Sequence, residues 1–235
     1  MSDSFVLLLQ QHHIIFACLF GIIPAILWLW FWLKEDIHPE PTKLIIYTFL
    51  GGMLSVFVAI PMQQWIQNTI GDLATNYVFI FLIWATIEEM LKFGVAWIGG
   101  IHTVNDDEPI DPVIYLIVAA LGFTAIENTL FIIDPLISGN ISDALITGNL
   151  RFIGAGLLHI ISSATLGVFL GLSYKKSRGK KFIYATIGCL LAIGLHWVFN
   201  LSIIDAAEGG MFLIFGCVWA AIIILVLLFE KVKLI

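Results

Sequence analysis

Charge is what this chain has least of. Only 12% of its 235 residues are charged, 60% are hydrophobic, and the mean hydropathy is +1.01. A water-soluble domain cannot cover its surface with so little charge, so the soluble globular classes are excluded. The net charge of −6 adds little, because Asp and Glu barely influence membrane orientation, and no nucleic acid is expected as a partner. Cysteine is scarce too. Cys18, Cys189 and Cys217 are odd in number and all lie in apolar runs, which excludes a disulfide framework and a cysteine-type metal motif. There is no internal repeat, low-complexity tract or interdomain linker, and the His-Glu-x-x-His motif of soluble zinc proteases is absent. The start, MSDSFVLLLQQHH, has neither a basic region nor a small-residue cleavage site, so the first apolar span is expected to remain in the protein.

What is present is a succession of apolar runs, each near the ~20 residues that a transmembrane helix needs. They cover roughly 13–33, 43–62, 77–99, 112–133, 151–172, 182–203 and 211–229. The expected fold is therefore all-α, a polytopic transmembrane helix bundle of about seven spans forming a single membrane domain over 1–235. Lys34 and Lys43 flank the first connection, Lys175, Lys176, Arg178, Lys180 and Lys181 crowd the fifth, and Lys231 and Lys233 lie in the C-terminal tail. With seven spans these segments share one side. The positive-inside rule makes that side cytoplasmic, which puts the N-terminus outside and the C-terminus in the cytoplasm. The third connection, IHTVNDDEPID, falls on the same side without a Lys or Arg and is neutral for the rule.

The first connection, KEDIHPEPTK, reads as a rigid turn stopped by Pro39 and Pro41. The second, QQWIQNTIGDLATN, and the fourth, DPLISGNISDALITGN, are polar and expected outside, and the fourth is long enough to serve as a flap. Trp28, Trp30 and Trp32 suggest an interfacial belt. Gly154, Gly156, Gly167 and Gly171 suggest close helix packing, and Arg151 suggests an interface anchor or a loop partner.

Against this apolar background a few residues stand out. WATIEEMLKFGV places Glu88, Glu89 and Lys92 inside the third span. A charge at mid-membrane costs on the order of 2.5–3.5 kcal/mol on insertion scales, so such groups mark function and need partners. Lys92, four residues after Glu88, is expected to pair with it. Glu127 in the fourth span, His159 in the fifth, and His196 with Asn200 in the sixth complete the set, and His196 and Asn200 share a helix face. At ~1.5 Å per residue, Glu127, His159 and His196 lie about 9, 12 and 10 Å from the outer ends of their spans, and the glutamate pair about 17 Å. Four antiparallel helices thus bring polar groups to a common depth in the outer half of the membrane. Peptide hydrolysis needs a base for water and a means of stabilising the oxyanion. A carboxylate serves as base, and a zinc ion on imidazole and carboxylate ligands acidifies water; this inventory suits either.

The motifs Glu88-Glu89-x-x-Lys92, Phe123-x-x-x-Glu127 followed by Asn128, a lone His159 in a helix rich in small residues, and His196-x-x-x-Asn200 resemble the PrsW family of intramembrane proteases, related to the CAAX-processing and bacteriocin-processing enzymes. The resemblance covers most of the chain. It implies an intramembrane endopeptidase acting on a membrane-anchored protein substrate, as the family prototype does on an anti-sigma factor, in a prokaryotic cytoplasmic membrane. In that reading Glu88 or Glu89 is the general base, with a slight lean to Glu88. His159, His196 and Glu127 bind zinc or orient water, Asn200 holds the oxyanion, and Lys92 supports a glutamate. The family pattern often has Asp at the position of Asn200, which here suits a hydrogen-bond donor. The CAAX enzymes have His at the position of Glu127. Two alternatives use the same residues: a proton or cation relay in a transporter, and a catalytically silent membrane scaffold.

Overall fold

The computed structural model describes residues 11–36, 38–70, 77–204 and 210–235. Their regular elements are helices, as a bilayer demands of a chain whose backbone amides have no water to bond. Helix α1 is His13–Lys34, α2 is Thr42–Ile70, and α3 is Tyr77–Ala96, extended by a π-helical turn at Trp97–Ile101. Helix α4 is Asp111–Ile137. Helix α5, Ile141–Leu150, runs through a second π-helical turn, Arg151–Ala155, into α6, Gly156–Leu172. Helices α7, Arg178–Ile204, and α8, Gly210–Lys233, complete the bundle.

Six of these segments are long and apolar enough to cross a membrane: α1, α2, α4, α5 with α6, α7 and α8. Helix α3 has the length, at 20 residues, and is set apart by Glu88, Glu89 and Lys92, which it buries against its neighbours. The seven expected spans thus correspond to six strongly apolar segments and one that carries the chemistry.

Helix α4 is the axis of the bundle, buried at every position from Asp111 to Ala125 and packed by α1, α2 and α6. Its crossing with α2 is close because glycines face backbone on both sides. A Cβ on Gly52 would meet Ala119 O at 2.2 Å, and one on Gly122 would meet Phe49 O at 2.0 Å. Van der Waals packing of this kind is what holds helices together in lipid, where no hydrophobic force acts between them.

Three expectations need correction. The stretch 134–149 is helical rather than an irregular loop: α4 continues to Ile137, Gly139 turns the chain at φ 73°, and the Asn140 side chain caps α5. Gly139 adopts the left-handed backbone that only glycine enters cheaply. Helix α2 also overruns its apolar run, ending at Ile70, so Gln63, Gln64, Gln67 and Asn68 stand on a helix; glutamine is a good helix former, and a fall in hydropathy does not end a helix. Positions 71–76 of that connection lie outside the described residues. The tryptophan belt reduces to Trp30, which is 59% exposed with the Lys34 ammonium over its ring. Trp32 is buried against Phe229, and Trp28 packs on Phe152 and Trp219.

The lysine-rich segments do gather at one end. Lys233 reaches Glu35 at 3.7 Å, the Tyr174 hydroxyl donates to Asp106 O at 2.8 Å, and His38 pairs with Glu108 at 2.5 Å. The first, third and fifth connections and the C-terminal tail therefore share a side, as the count of spans requires.

Candidate active site

Four helices carry the polar residues into one cluster, each from a stretch whose other faces are apolar. On α3, Met90 points outward at 46% exposure, whereas Glu88, Glu89 and Lys92 are turned inward at 7%, 3% and 0%. Adjacent residues on a helix point ~100° apart, so the two glutamates enter different surroundings.

Glu89 is fully satisfied. Its Oε1 accepts from Lys92 Nζ at 2.7 Å, from Ser162 Oγ at 3.0 Å and faces His196 Nδ1 at 2.8 Å, while Oε2 accepts from Ser163 Oγ at 2.8 Å. Such a carboxylate fixes its histidine: Nδ1–H donates to Glu89, which leaves the lone pair of His196 on Nε2. That nitrogen lies 3.6 Å from Glu88 Oε2.

Lys92 serves the other histidine. Its ammonium donates to His159 Nδ1 at 2.7 Å and sits 4.7 Å above the Phe123 ring. An ammonium has no acceptor, so His159 carries its proton on Nε2 and donates it to Glu127 Oε2 at 2.8 Å. Lys92 thus hydrogen-bonds Glu89, three residues back, and keeps the expected ion pair with Glu88 at the longer distance of 3.9 Å. The two spacings share a face, and the rotation of α3 against α6 selects between them.

Glu127 is clamped from the other side by Arg151, whose Nη2 donates to Glu127 Oε2 at 2.6 Å and whose Nε donates to Asn128 Oδ1 at 2.6 Å. Arg151 starts the π-helical turn between α5 and α6, where the widened turn directs it back onto α4.

Glu88 is the exception. Its Oε1 accepts from Gln63 Nε2 at 2.9 Å, whereas Oε2 is buried with no hydrogen-bond partner among the described residues. It lines a cavity of about 650 Å³ together with Glu127, His159, His196 and Asn200, walled by apolar side chains such as Phe81, Phe123 and Phe199. Glu89 and Lys92 lie behind this wall. A carboxylate oxygen of Glu88 and ring nitrogens of His159 and His196 fall within 4.8 Å of one another, a His₂Glu donor set of the kind that holds zinc. Glu127, expected among the metal ligands, stands outside that group and is tied to Arg151.

Gln63, Ser162 and Ser163 were not singled out in the sequence, and Arg151 was given no place in the site. Gln63 was readable as the first polar side chain after an apolar run, one helical stripe on from Val56 and Ala59. The serines had no signal beyond lying three and four residues after His159.

The family model of the PrsW family intramembrane metalloproteases matches residues 40–228. The chain belongs to the PrsW family. It is 27% identical over 209 residues to "Protease PrsW" of Geobacillus kaustophilus, covering 86% of this chain and 87% of that one. It is 26% identical to the protein of that name from Clostridioides difficile, over 77% of this chain and 76% of the other, and 28% identical to that of Bacillus subtilis, over 67% of each. No solved structure matches significantly. Membership makes the chain an intramembrane protease and an integral membrane protein, which sets aside the transporter and silent-scaffold alternatives.

Proposed function

We propose that the 235-residue chain is one membrane protease domain that hydrolyses a peptide bond of a membrane-anchored protein near the outer leaflet, with an anti-sigma factor the leading substrate class. Its place is a prokaryotic cytoplasmic membrane, with the lysine-rich end inside, the N-terminus outside and the C-terminus in the cytoplasm. One observation carries the assignment of roles: among the described residues Glu88 Oε2 accepts no hydrogen bond, and it faces the lone pair of His196 at 3.6 Å.

In this reading Glu88 takes a proton from water at Oε2 as the oxygen adds to the scissile carbonyl carbon. His196 Nε2 accepts a hydrogen bond from the water's other O–H, which stays on that oxygen, and so aims it. The oxyanion receives a hydrogen bond from the Asn200 amide, one helical turn from His196 on the same cavity wall. Glu88 then returns its proton to the departing amine, so the cycle closes with no net transfer. Glu89 and Lys92 hold the two histidines in opposite tautomers. Glu127 keeps His159 aimed at the cavity.

Glu88 and His196 Nε2 would hold a zinc ion if one is bound, with His159 joining them only by giving up the Nε2 proton it donates to Glu127, and the ion would supply Lewis acidity to the water there.

Cleavage of a tagged transmembrane substrate by purified protein tests the assignment. Glu88→Gln is expected to lose about 10²–10⁴-fold in rate while retaining the thermal transition of the native protein. Full activity of that variant would refute the role. Loss of activity with a chelator and its return with Zn²⁺ would establish the metal.

A further inference from the structure

A second cavity, of about 440 Å³, adjoins the first and shares Ile60, Gln63 and Trp84 with it. Its remaining walls are Gln64, Gln67 and Asn68 of α2. Positions 56, 60, 63, 64, 67 and 68 follow the helical period, so one stripe of α2 runs from apolar beside Glu88 to a row of side-chain amides. Trp84 faces this row from α3, and its Nε1–H is buried without an acceptor among the described residues.

A peptide bond inside a membrane helix is closed to attack, because its carbonyl and N–H are bonded along the helix and its neighbours' side chains surround it. Cleavage requires a few residues to unwind. Each backbone group so freed is costly if it stays unpaired away from water. Peptide N–H and C=O groups are matched by groups that both donate and accept, and the primary amides of Gln and Asn do both.

We propose that Gln64, Gln67, Asn68 and the Trp84 indole form the binding site for the unwound backbone of the substrate, next to the scissile bond. The inference rests on the protease reading of the Glu88 cavity. Gln63 joins the two sites, because the amide that bonds Glu88 also opens onto the groove. A glutamine face that served only to meet water at a helix end would have no bearing on the substrate's helicity.

That difference sets the test. Two tagged substrates are compared in proteoliposomes: an uninterrupted apolar transmembrane helix, and the same sequence with Gly-Gly placed beside the cut to loosen it. The variants are Gln64→Leu with Gln67→Leu, which keeps bulk and helix propensity, and Trp84→Phe, which removes only the N–H donor. The double variant is expected to lose about tenfold or more in kcat/KM on the intact helix, the equivalent of one or two hydrogen bonds, and roughly twofold or less on the Gly-Gly substrate. Trp84→Phe should show the same bias on a smaller scale. Equal losses on both substrates, or none on either, overturn the inference and leave the protease reading standing. Failure of the unaltered protein to cleave either substrate overturns both.

Discussion

The molecule buries acidic groups in two places and neutralises them in different ways. In the active-site cluster three carboxylates, Glu88, Glu89 and Glu127, meet two permanent cations, Lys92 and Arg151. At the lysine-rich end Glu40, Asp36 and Asp111 are buried at 9%, 7% and 1% exposure with Asp106 nearby, and no lysine or arginine forms an ion pair with them among the described residues. There the Tyr115 hydroxyl donates to Glu40, and the backbone amides of Asp107 and Glu108 donate to Asp111 at 2.9 and 2.7 Å. Burial pushes Glu40 up to about 8 and Asp106 up to about 7, so protons take the part that cations play in the other cluster. The comparison explains the special standing of Glu88. Three acids against two cations leave one carboxylate over, and the one with an unpartnered oxygen is Glu88, which lines the cavity where a positive charge or a proton is to be handled.

The sharpest way to break this comparison is to remove the cation from one cluster and the acid from the other. Lys92→Met leaves Glu89 as a buried charge without its ammonium and frees His159 Nδ1. It is expected to cost roughly 3–5 kcal/mol, read as a large fall in the thermal transition in detergent. Adding Glu89→Gln should restore much of it. Glu40→Gln, which replaces a group already protonated near neutral pH, should shift the transition little. Equal effects of Lys92→Met and Glu40→Gln would show that the two clusters do not differ as described.

A smaller effect is expected where the cation is only partly buried. Arg151→Met removes two donors at 2.6 Å, one to Glu127 and one to Asn128. Glu127 then relies on His159 alone. The aim of the imidazole into the cavity loosens, and activity should fall about tenfold. Arg151→Lys should recover only part, since an ammonium cannot span both acceptors as the guanidinium fork does. Full recovery by Arg151→Lys would show that charge alone, and not the two-acceptor fork, is what Arg151 contributes.

Much of this architecture was legible from hydropathy, because a span in lipid must be helical and its charges must find partners. The spans, the shared end of the lysine-rich loops, and Glu88, Glu127, His159, His196 and Asn200 as walls of one cavity all follow from that constraint. What stayed hidden depends on helix rotation and on polar helix ends. Lys92 lies within reach of both glutamates, and only the packing of α3 against α6 shows that it bonds Glu89 and leaves Glu88 to Gln63. The helical turns at 63–70 and 141–150 carry too few apolar residues to be told from loops by hydropathy, which concealed the amide row and the route by which Arg151 enters the site.

The smallest predicted effect concerns the acid-only cluster and sharpens the contrast through pH. Glu40 at about 8 and Asp106 at about 7 lie above the ordinary values of 4.5 and 3.8, so over the interval between, the folded protein holds protons that the unfolded chain has lost. Stability from these groups is therefore fully present below about pH 4 and declines as pH rises through 7 and 8. Glu40 faces Tyr115, Asp111 and Asp36, and Asp106 faces Asp111, Asp107 and Lys181, so the proton is shared among several groups and the change is modest. A fall of about 2–4 °C in the thermal transition between pH 6 and pH 9 is the expected size. Glu40→Gln should flatten most of it, since it removes the group with the highest value. A transition that rises from pH 6 to pH 9 would reverse the sign of the argument and require a cation, not a proton, at the heart of that cluster.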